Sequence, residues 1–351
     1  MDKQKIQQFA GKVNGDMAGA MATAMVYVGV KTGLFSTMSG KGPMSPEEVA
    51  QVSGLQPRYV AEWLAGMTTA GYLDYDPGGQ TYAFPDELAY LLDSEGTDHY
   101  MGGMSLMAPV LLSVAPKVAD AFKNGGGVTF AEFGAEGVNA LDVMNRGTYE
   151  QRLTSYWLPS MPDVHEKLTN GAQVLDVGCG AGRICLSIAA EYENSQVFGM
   201  DPDVESIDQA KQATADSDLN AKPEFIATTT ADMERGDGFD LITIFDCVHD
   251  FAAPHQTLRE IAALLKPDGT LFIMEPKAAD NLEDNIHPMG TVYYGFSIFH
   301  CMTQSLANGG PGLGTCMGPA QTEALCKESG FSHFEMVPIK SQTNLFYAAK
   351  L

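Results

Sequence analysis

The chain has 351 residues, 45% hydrophobic and 19% charged, enough to build two or three domains with real cores. It carries 21 basic against 44 acidic residues, a net charge of −23, which repels a phosphate backbone and argues against nucleic acid as a main partner. No run approaches the ~20 apolar residues that span a bilayer. The polar start MDKQKIQQFAGKVNGDM lacks a signal-peptide core, so the expected location is cytoplasmic, with no membrane partner. The six cysteines show no CxxC pair and no Cys/His ligand spacing, so reduced, mostly buried thiols and no metal are expected.

In chain order, MAGAMATAMVYVGVKTGLF reads first, as a helix apolar nearly all round, expected to be buried, if not in its own chain then against a second subunit. Ser45 as N-cap, Pro46 in the first turn and Gly54 at the end frame a second helix. A third, in LQPRYVAEWLAGMTTAGYL, sets Val60, Leu64 and Met67 on one face. LDYDPGGQTYAFP then turns at Pro77-Gly78-Gly79 as a hairpin. Helix, turn, helix and hairpin make a winged-helix pattern. DNA reading needs clustered positive charge, yet Arg58 is the only base on the would-be recognition helix, and residues 1–100 hold 6 Lys/Arg against 12 Asp/Glu. A domain at 1–100 that makes a homodimer is the favoured reading, and a cofactor-sensing transcriptional regulator stays as an alternative.

Residues 101–168 look helical, broken by NGGGV, and carry Arg146, Tyr149, Arg152 and Tyr156. They read either as a substrate lid or as an amphipathic connector with its aromatics in an interface. From Ala172 strands and helices alternate: AQVLDVG, SQVFGMD, PEFIATT, FDLITIFD and GTLFIMEP are strands with helices between them. SHFEMVPIK and NLFYAAK lie too close together for an intervening helix and form an antiparallel pair at one edge. The expected fold is α/β, a Rossmann-like seven-stranded sheet with an antiparallel last strand, over residues 169–351, with a cap insertion at 280–318.

The first strand-to-helix turn, LDVGCGAGR, holds Gly178, Gly180 and Gly182, which permit a tight turn and close approach of a ligand. Asp176 inside the turn opposes a pyrophosphate and suits an ammonium. Asp201 ends the second strand, where a carboxylate can hold ribose hydroxyls. Asp232 and Met233 follow the third strand and suit an adenine amino group and ring. An adenosine with an ammonium and a carboxylate describes S-adenosylmethionine. The fourth strand ends in FDCVHD, with two acids around a histidine.

With the glycine turn, Asp201, Asp232, FDCVHD and the reversed last strand in hand, residues 172–351 resemble the class I S-adenosylmethionine-dependent methyltransferases. The resemblance implies cofactor roles for Asp176, Gly178, Gly180, Asp201, Asp232 and Met233, with Phe245 and Asp246 lining the reactive sulfur and S-adenosylhomocysteine as product. Together with the winged helix, the chain is similar to small-molecule O-methyltransferases, in which a His-Asp pair after the fourth strand, here His249 and Asp250, is catalytic. DNLEDN, HCMTQSL and GGPGLG resemble a bacterial group of two-domain methyltransferases. Their cap supplies Tyr293, Tyr294 and His300 as substrate-binding candidates beside Arg146, Tyr149, Arg152 and Tyr156, with Phe296 and Thr303 as further cap residues.

The acceptor divides the reading. A hydroxyl must lose a proton and needs a base, whereas a thioether does not. GTDHYMGG, NRGTYEQR and the acidic surface resemble the methylthiohydroxybutyrate S-methyltransferases of dimethylsulfoniopropionate biosynthesis. That implies 4-methylthio-2-hydroxybutyrate as substrate. O-methylation of a small hydroxylated metabolite, with His249 as base, is the alternative.

Overall fold

A computed structural model describes residues 1–234 and 236–351. The chain divides into two compact units: Met1–Val110 with Val143–Thr148, and Leu111–Asp142 with Tyr149–Leu351. The segment 101–168, read from sequence as one connector, is thus shared between them.

The first unit opens on a helix, Lys3–Thr32, whose N-cap Asp2 accepts from the backbone of Gln4 and Lys5, and which ends at Gly33 in the left-handed region. Burial of its apolar surface within the chain is not found: Val26 and Gly29 are its only buried residues. Ile6, Phe9, Val13, Met17 and Met21 are 50–65% exposed. The reason is length. Only the last turns reach the core, where Trp63 Nε1 donates to Met25 O at 2.8 Å and a Cβ on Gly29 would lie 2.5 Å from Phe35.

The next helices follow the sequence closely. Pro46–Ser53 begins with a reciprocal cap between Ser45 and Glu48 and ends at Gly54, φ 70°. Pro57–Thr69 buries Val60, Trp63, Leu64 and Met67. Strands β1 (Asp74–Asp76) and β2 (Thr81–Ala83) pair antiparallel, and the Asp76 carboxylate accepts from the backbone of Gly78 and Gly79 in the turn.

The second unit is built on β3 (Gln173–Val177), β4 (Gln196–Asp201), β5 (Glu224–Ala227), β6 (Phe239–Phe245), β7 (Leu265–Pro276), β8 (His333–Met336) and β9 (Asn344–Lys350). Their order is β5-β4-β3-β6-β7-β9-β8, with β9 antiparallel to both neighbours. β3, β6 and β7 are nearly continuous apolar runs because both sheet faces are covered. Val174, Leu241 and Phe272 face one core; Leu175, Ile242 and Ile273 face the other.

The chain runs outward from β3 to β5 and then returns to place β6 on the other side of β3. That reversal opens a crevice at the strands' C-terminal ends, the place where open α/β sheets bind ligands. The insertion after β7 is held by Asn285, which accepts from Ala279 N at 2.9 Å and donates to the carbonyls of Ala279 and Asn281. It continues as helices Pro288–Phe296 and Met302–Ala307, joined by a π-helical turn at Ser297–Cys301. Among the described residues no single helix is long and apolar enough to cross a membrane.

Candidate active site

The turn after β3 is open at its centre and closed at its flanks. Gly178, Gly180 and Gly182 all have positive φ. A Cβ on Gly178 would lie 2.7 Å from Cys247 Sγ, and one on Gly182 would lie 2.6 Å from Phe225. One on Gly180 would meet nothing within 4 Å. Gly180 N donates to Asp201 Oδ2 at 3.1 Å and Asp203 N to Asp201 Oδ1 at 2.9 Å, which orients the carboxylate while leaving lone pairs on both oxygens. Arg183, first in the following helix, already pairs with Asp142 at 2.7 Å and Glu150 at 3.2 Å.

Around this turn, acids outnumber their partners. Asp176 is 2% exposed and lies beneath it, accepting from Thr243 Oγ1 at 2.6 Å. Burial, and then Asp201, push its carboxyl up to about 7. Asp201 is also raised, chiefly by burial. Asp246, just past β6, adopts φ 52°, a region that non-glycine residues seldom occupy. Its backbone N donates to Met274 O at 2.8 Å and its Oδ1 accepts from Asn344 at 3.2 Å, so β7 and β9 hold the strained turn in place. Burial, and then Glu275, push it up to about 7.

His249 lies three residues on, in a 3₁₀ turn, and is 1% exposed. Its Nδ1 bonds the Glu275 carboxylate, whose other oxygen accepts from Val248 N at 3.0 Å; its Nε2 lies 3.4 Å from Asp250 Oδ1. Burial pulls the imidazole pKa down, but Glu275 and then Asp250 outweigh it, and the net shift is well above the ordinary value. Asp250 is raised to about 6 by burial, against the pull of His249. Sequence reasoning missed Glu275. The one available signal was a lone acid ending the apolar run TLFIME.

His249, Asp250 and Cys301 bring three donor atoms within 4.8 Å of one another, a spacing a metal ion can bridge. Burial and Asp250 raise the Cys301 thiol to about 11.

The other sequence candidates fall into groups. Phe245 is buried beside Tyr149 and Trp157, ring centroids 6.2 and 6.0 Å away. The Tyr149 phenol is raised by burial and then by Asp246, so it belongs to the same cluster. Tyr293 donates to Thr343 O at 3.1 Å, and its pKa is raised by burial and then by Asp246. Tyr294 is partly exposed, and Tyr156 uses its hydroxyl to accept from Lys340 N. Asp232 is exposed and accepts from Thr229 Oγ1, while Met233 packs on the core. Arg152 is exposed. Arg146 belongs to the first unit, where it pairs with Glu95 at 3.1 Å. His300 is buried on the π-helical turn of the insertion.

Residues 168–313 match a family described as a methyltransferase domain, and residues 20–94 one described as an Rv2258c-like winged HTH domain. A ubiquinone biosynthesis O-methyltransferase of Actinobacillus pleuropneumoniae is 29% identical over 156 residues, 38% of this chain and 65% of that protein. The Coxiella burnetii protein of the same name is 35% identical over 112 residues, 31% of this chain and 46% of that one. The chain therefore spans less than two thirds of the length of these curated relatives. Among solved structures, a candidate O-methyltransferase of Nostoc punctiforme matches with TM-score 0.74 at 19% identity, covering 98% of both chains. Human N-acetylserotonin methyltransferase, solved with S-adenosylmethionine, matches with TM-score 0.68 at 18% identity over 98% of both. At these identities the likeness is one of fold.

The raised Asp176 carboxyl has a measurable sign. Its contribution to stability is complete below the unfolded pKa of about 4 and is lost as pH rises through about 7. Asp176→Asn does not titrate, so its stability relative to the parent should climb over that window by on the order of 1–4 kcal/mol and then level off. Urea denaturation at several pH values checks this; a difference independent of pH would contradict the assignment.

Proposed function

We propose that this chain, whose residues 168–313 are a class I methyltransferase domain set behind an N-terminal winged-helix domain, transfers a methyl group from S-adenosylmethionine to a small-molecule acceptor. The observation that carries the proposal is the excess of acid, buried at Asp176 and half-buried at Asp201 and Asp246, beside an open glycine turn. Asp176, Asp201 and Asp246 all have pKa values raised, chiefly by burial, and a ligand bearing a sulfonium and an ammonium would bring positive charge to them. When bound, S-adenosylmethionine provides an electrophilic methyl group on sulfur. Asp201, with free lone pairs, would take the ribose hydroxyls. Asp232 and Met233 would take the adenine, Gly180 would admit the amino-acid end, Gly178 would shape the turn against Cys247 rather than open it, and Asp176 would act from below as a buried charge. Phe245 and Asp246 would line the side nearest the acceptor.

For the acceptor, the His249–Glu275 pair supports a hydroxyl. Glu275 fixes the ring through Nδ1 and stabilises the imidazolium, which leaves Nε2 to take a proton. Asp250 faces Nε2 and holds the proton's destination in a negative field. This reading is O-methyl transfer to a small hydroxylated molecule. A second reading is favoured by the upward shift of His249, which favours its protonated form and suits an anchor rather than a base. It is S-methylation of a thioether such as 4-methylthio-2-hydroxybutyrate, whose new sulfonium a tyrosine ring face would stabilise.

Turnover with methyl-labelled cofactor over hydroxyl, thioether and amine acceptors separates the two. Under the first reading the rate rises with pH through a limb above the ordinary imidazole range, and His249→Ala lowers it by about 10²–10⁴-fold. A pH-independent rate that survives the substitution would reject His249 as a base and favour the thioether.

The exposed stripe Ile6, Phe9, Val13, Met17 and Met21 supports a homodimer, in which a second copy covers the helix. Light scattering should find a dimer, and Phe9→Lys with Val13→Lys should convert it to a monomer that still binds S-adenosylhomocysteine. A monomeric parent at about micromolar concentration would contradict this.

A further inference from the structure

His300 is 5% exposed, its ring tilted against Phe133 at 4.7 Å between centroids and edge-on to Phe130 at 6.0 Å. It sits on the π-helical turn of the insertion, a distortion frequent at functional sites. Its Nδ1 lies 3.0 Å from Gln304 Nε2, and that same amide nitrogen lies 3.5 Å from Asp250 Oδ2. An amide nitrogen can only donate, so Nδ1 accepts. The reverse amide orientation would set a carbonyl oxygen against the Asp250 carboxylate.

With Nδ1 accepting, the neutral ring carries its proton on Nε2. That atom is enclosed and has no hydrogen-bond partner among the described residues. A buried donor left unpaired costs about 1–3 kcal/mol. Burial, and then the charge of His249, hold the ring down to about 4, so it stays neutral where His249 is drawn toward protonation. Asp250 and Gln304 thus link two histidines whose pKa values are shifted in opposite directions.

We propose that the His300 Nε2–H is a specificity-determining donor for the methyl acceptor, taking an oxygen lone pair of a molecule whose apolar part lies on Phe130 and Phe133. Gln304 is the positioning residue that fixes the tautomer. The acceptor's place here rests on the methyl-transfer reading; the tautomer does not. A hydroxyl, carbonyl or carboxylate oxygen satisfies the donor. A hydrocarbon or a bare thioether leaves it unpaired, the kind of loss by which a polar site rejects an analogue lacking the matching group.

The test is long-range proton–nitrogen NMR on the full chain labelled at histidine and saturated with S-adenosylhomocysteine. His300→Phe identifies the resonance by removing it. The expected result is a neutral ring with its proton on Nε2 from about pH 6 to 8, converted to mixed tautomers by Gln304→Met. Catechol or 4-methylthio-2-hydroxybutyrate should shift the Nε2 signal, and ethyl methyl sulfide should not. A proton on Nδ1, a cationic ring, or an Nε2 signal that neither oxygenated probe moves would overturn the proposal. If the tautomer and shifts appear but no acceptor is methylated, the methyl-transfer reading fails and the donor site stands. For a probe that is methylated, His300→Phe should raise KM about tenfold, the equivalent of one lost hydrogen bond, with kcat little changed and S-adenosylhomocysteine affinity retained. An unchanged KM would also overturn it.

Discussion

The second unit depends on one electrostatic constraint: carboxylates gathered where the sheet leaves little cationic compensation. Asp176, Asp201, Asp246 and Glu275 stand on or just past the C-terminal ends of four neighbouring strands. Arg183, in the helix that follows the glycine turn, is taken up by Asp142 and Glu150, and the Glu275 charge is met by His249. Buried acid without a counter-charge holds its proton and destabilises the ionised form. Such a cluster at a sheet's switch point is what supports the proposal of a positively charged ligand there.

Topology then explains the chemistry. Because β6 returns beside β3, the Asp246 turn faces the glycine turn, and Cys247 fills the space a side chain at position 178 would need. Parallel pairing of β6 with β7 aligns Phe245 with Met274, so Glu275 falls level with Asp246 and within reach of His249. The antiparallel β9 supplies Asn344 to the Asp246 carboxylate. Each catalytic candidate is therefore oriented by a neighbouring strand as well as by its own loop, the usual requirement for a pre-organised site.

Much of this was legible in local sequence. Ser45, Pro46 and Gly54 act within one helix, and the glycines of LDVGCGAGR act within one turn, so local chemistry suffices to read them. The strands were legible from their apolar runs and the helices between them. The Glu275–His249 pair was not, because it joins residues 26 apart through strand register. The exposure of the first helix was not, since apolar composition says that a face needs cover without saying what provides it. Nor could sequence show that Arg146 would be spent on Glu95, or that Gln304 would set the tautomer of a histidine four residues earlier on a π-helical turn.

The central claim, that these acids await a cationic cofactor, is tested most directly by calorimetry of S-adenosylhomocysteine binding in buffers of differing ionisation heat. Asp176 and Asp246 near 7 in the free protein should fall when an ammonium arrives. Net proton release on binding near neutrality is expected, with affinity that rises with pH from about 6 to 8. Proton uptake, or an affinity independent of pH over that range, would contradict it.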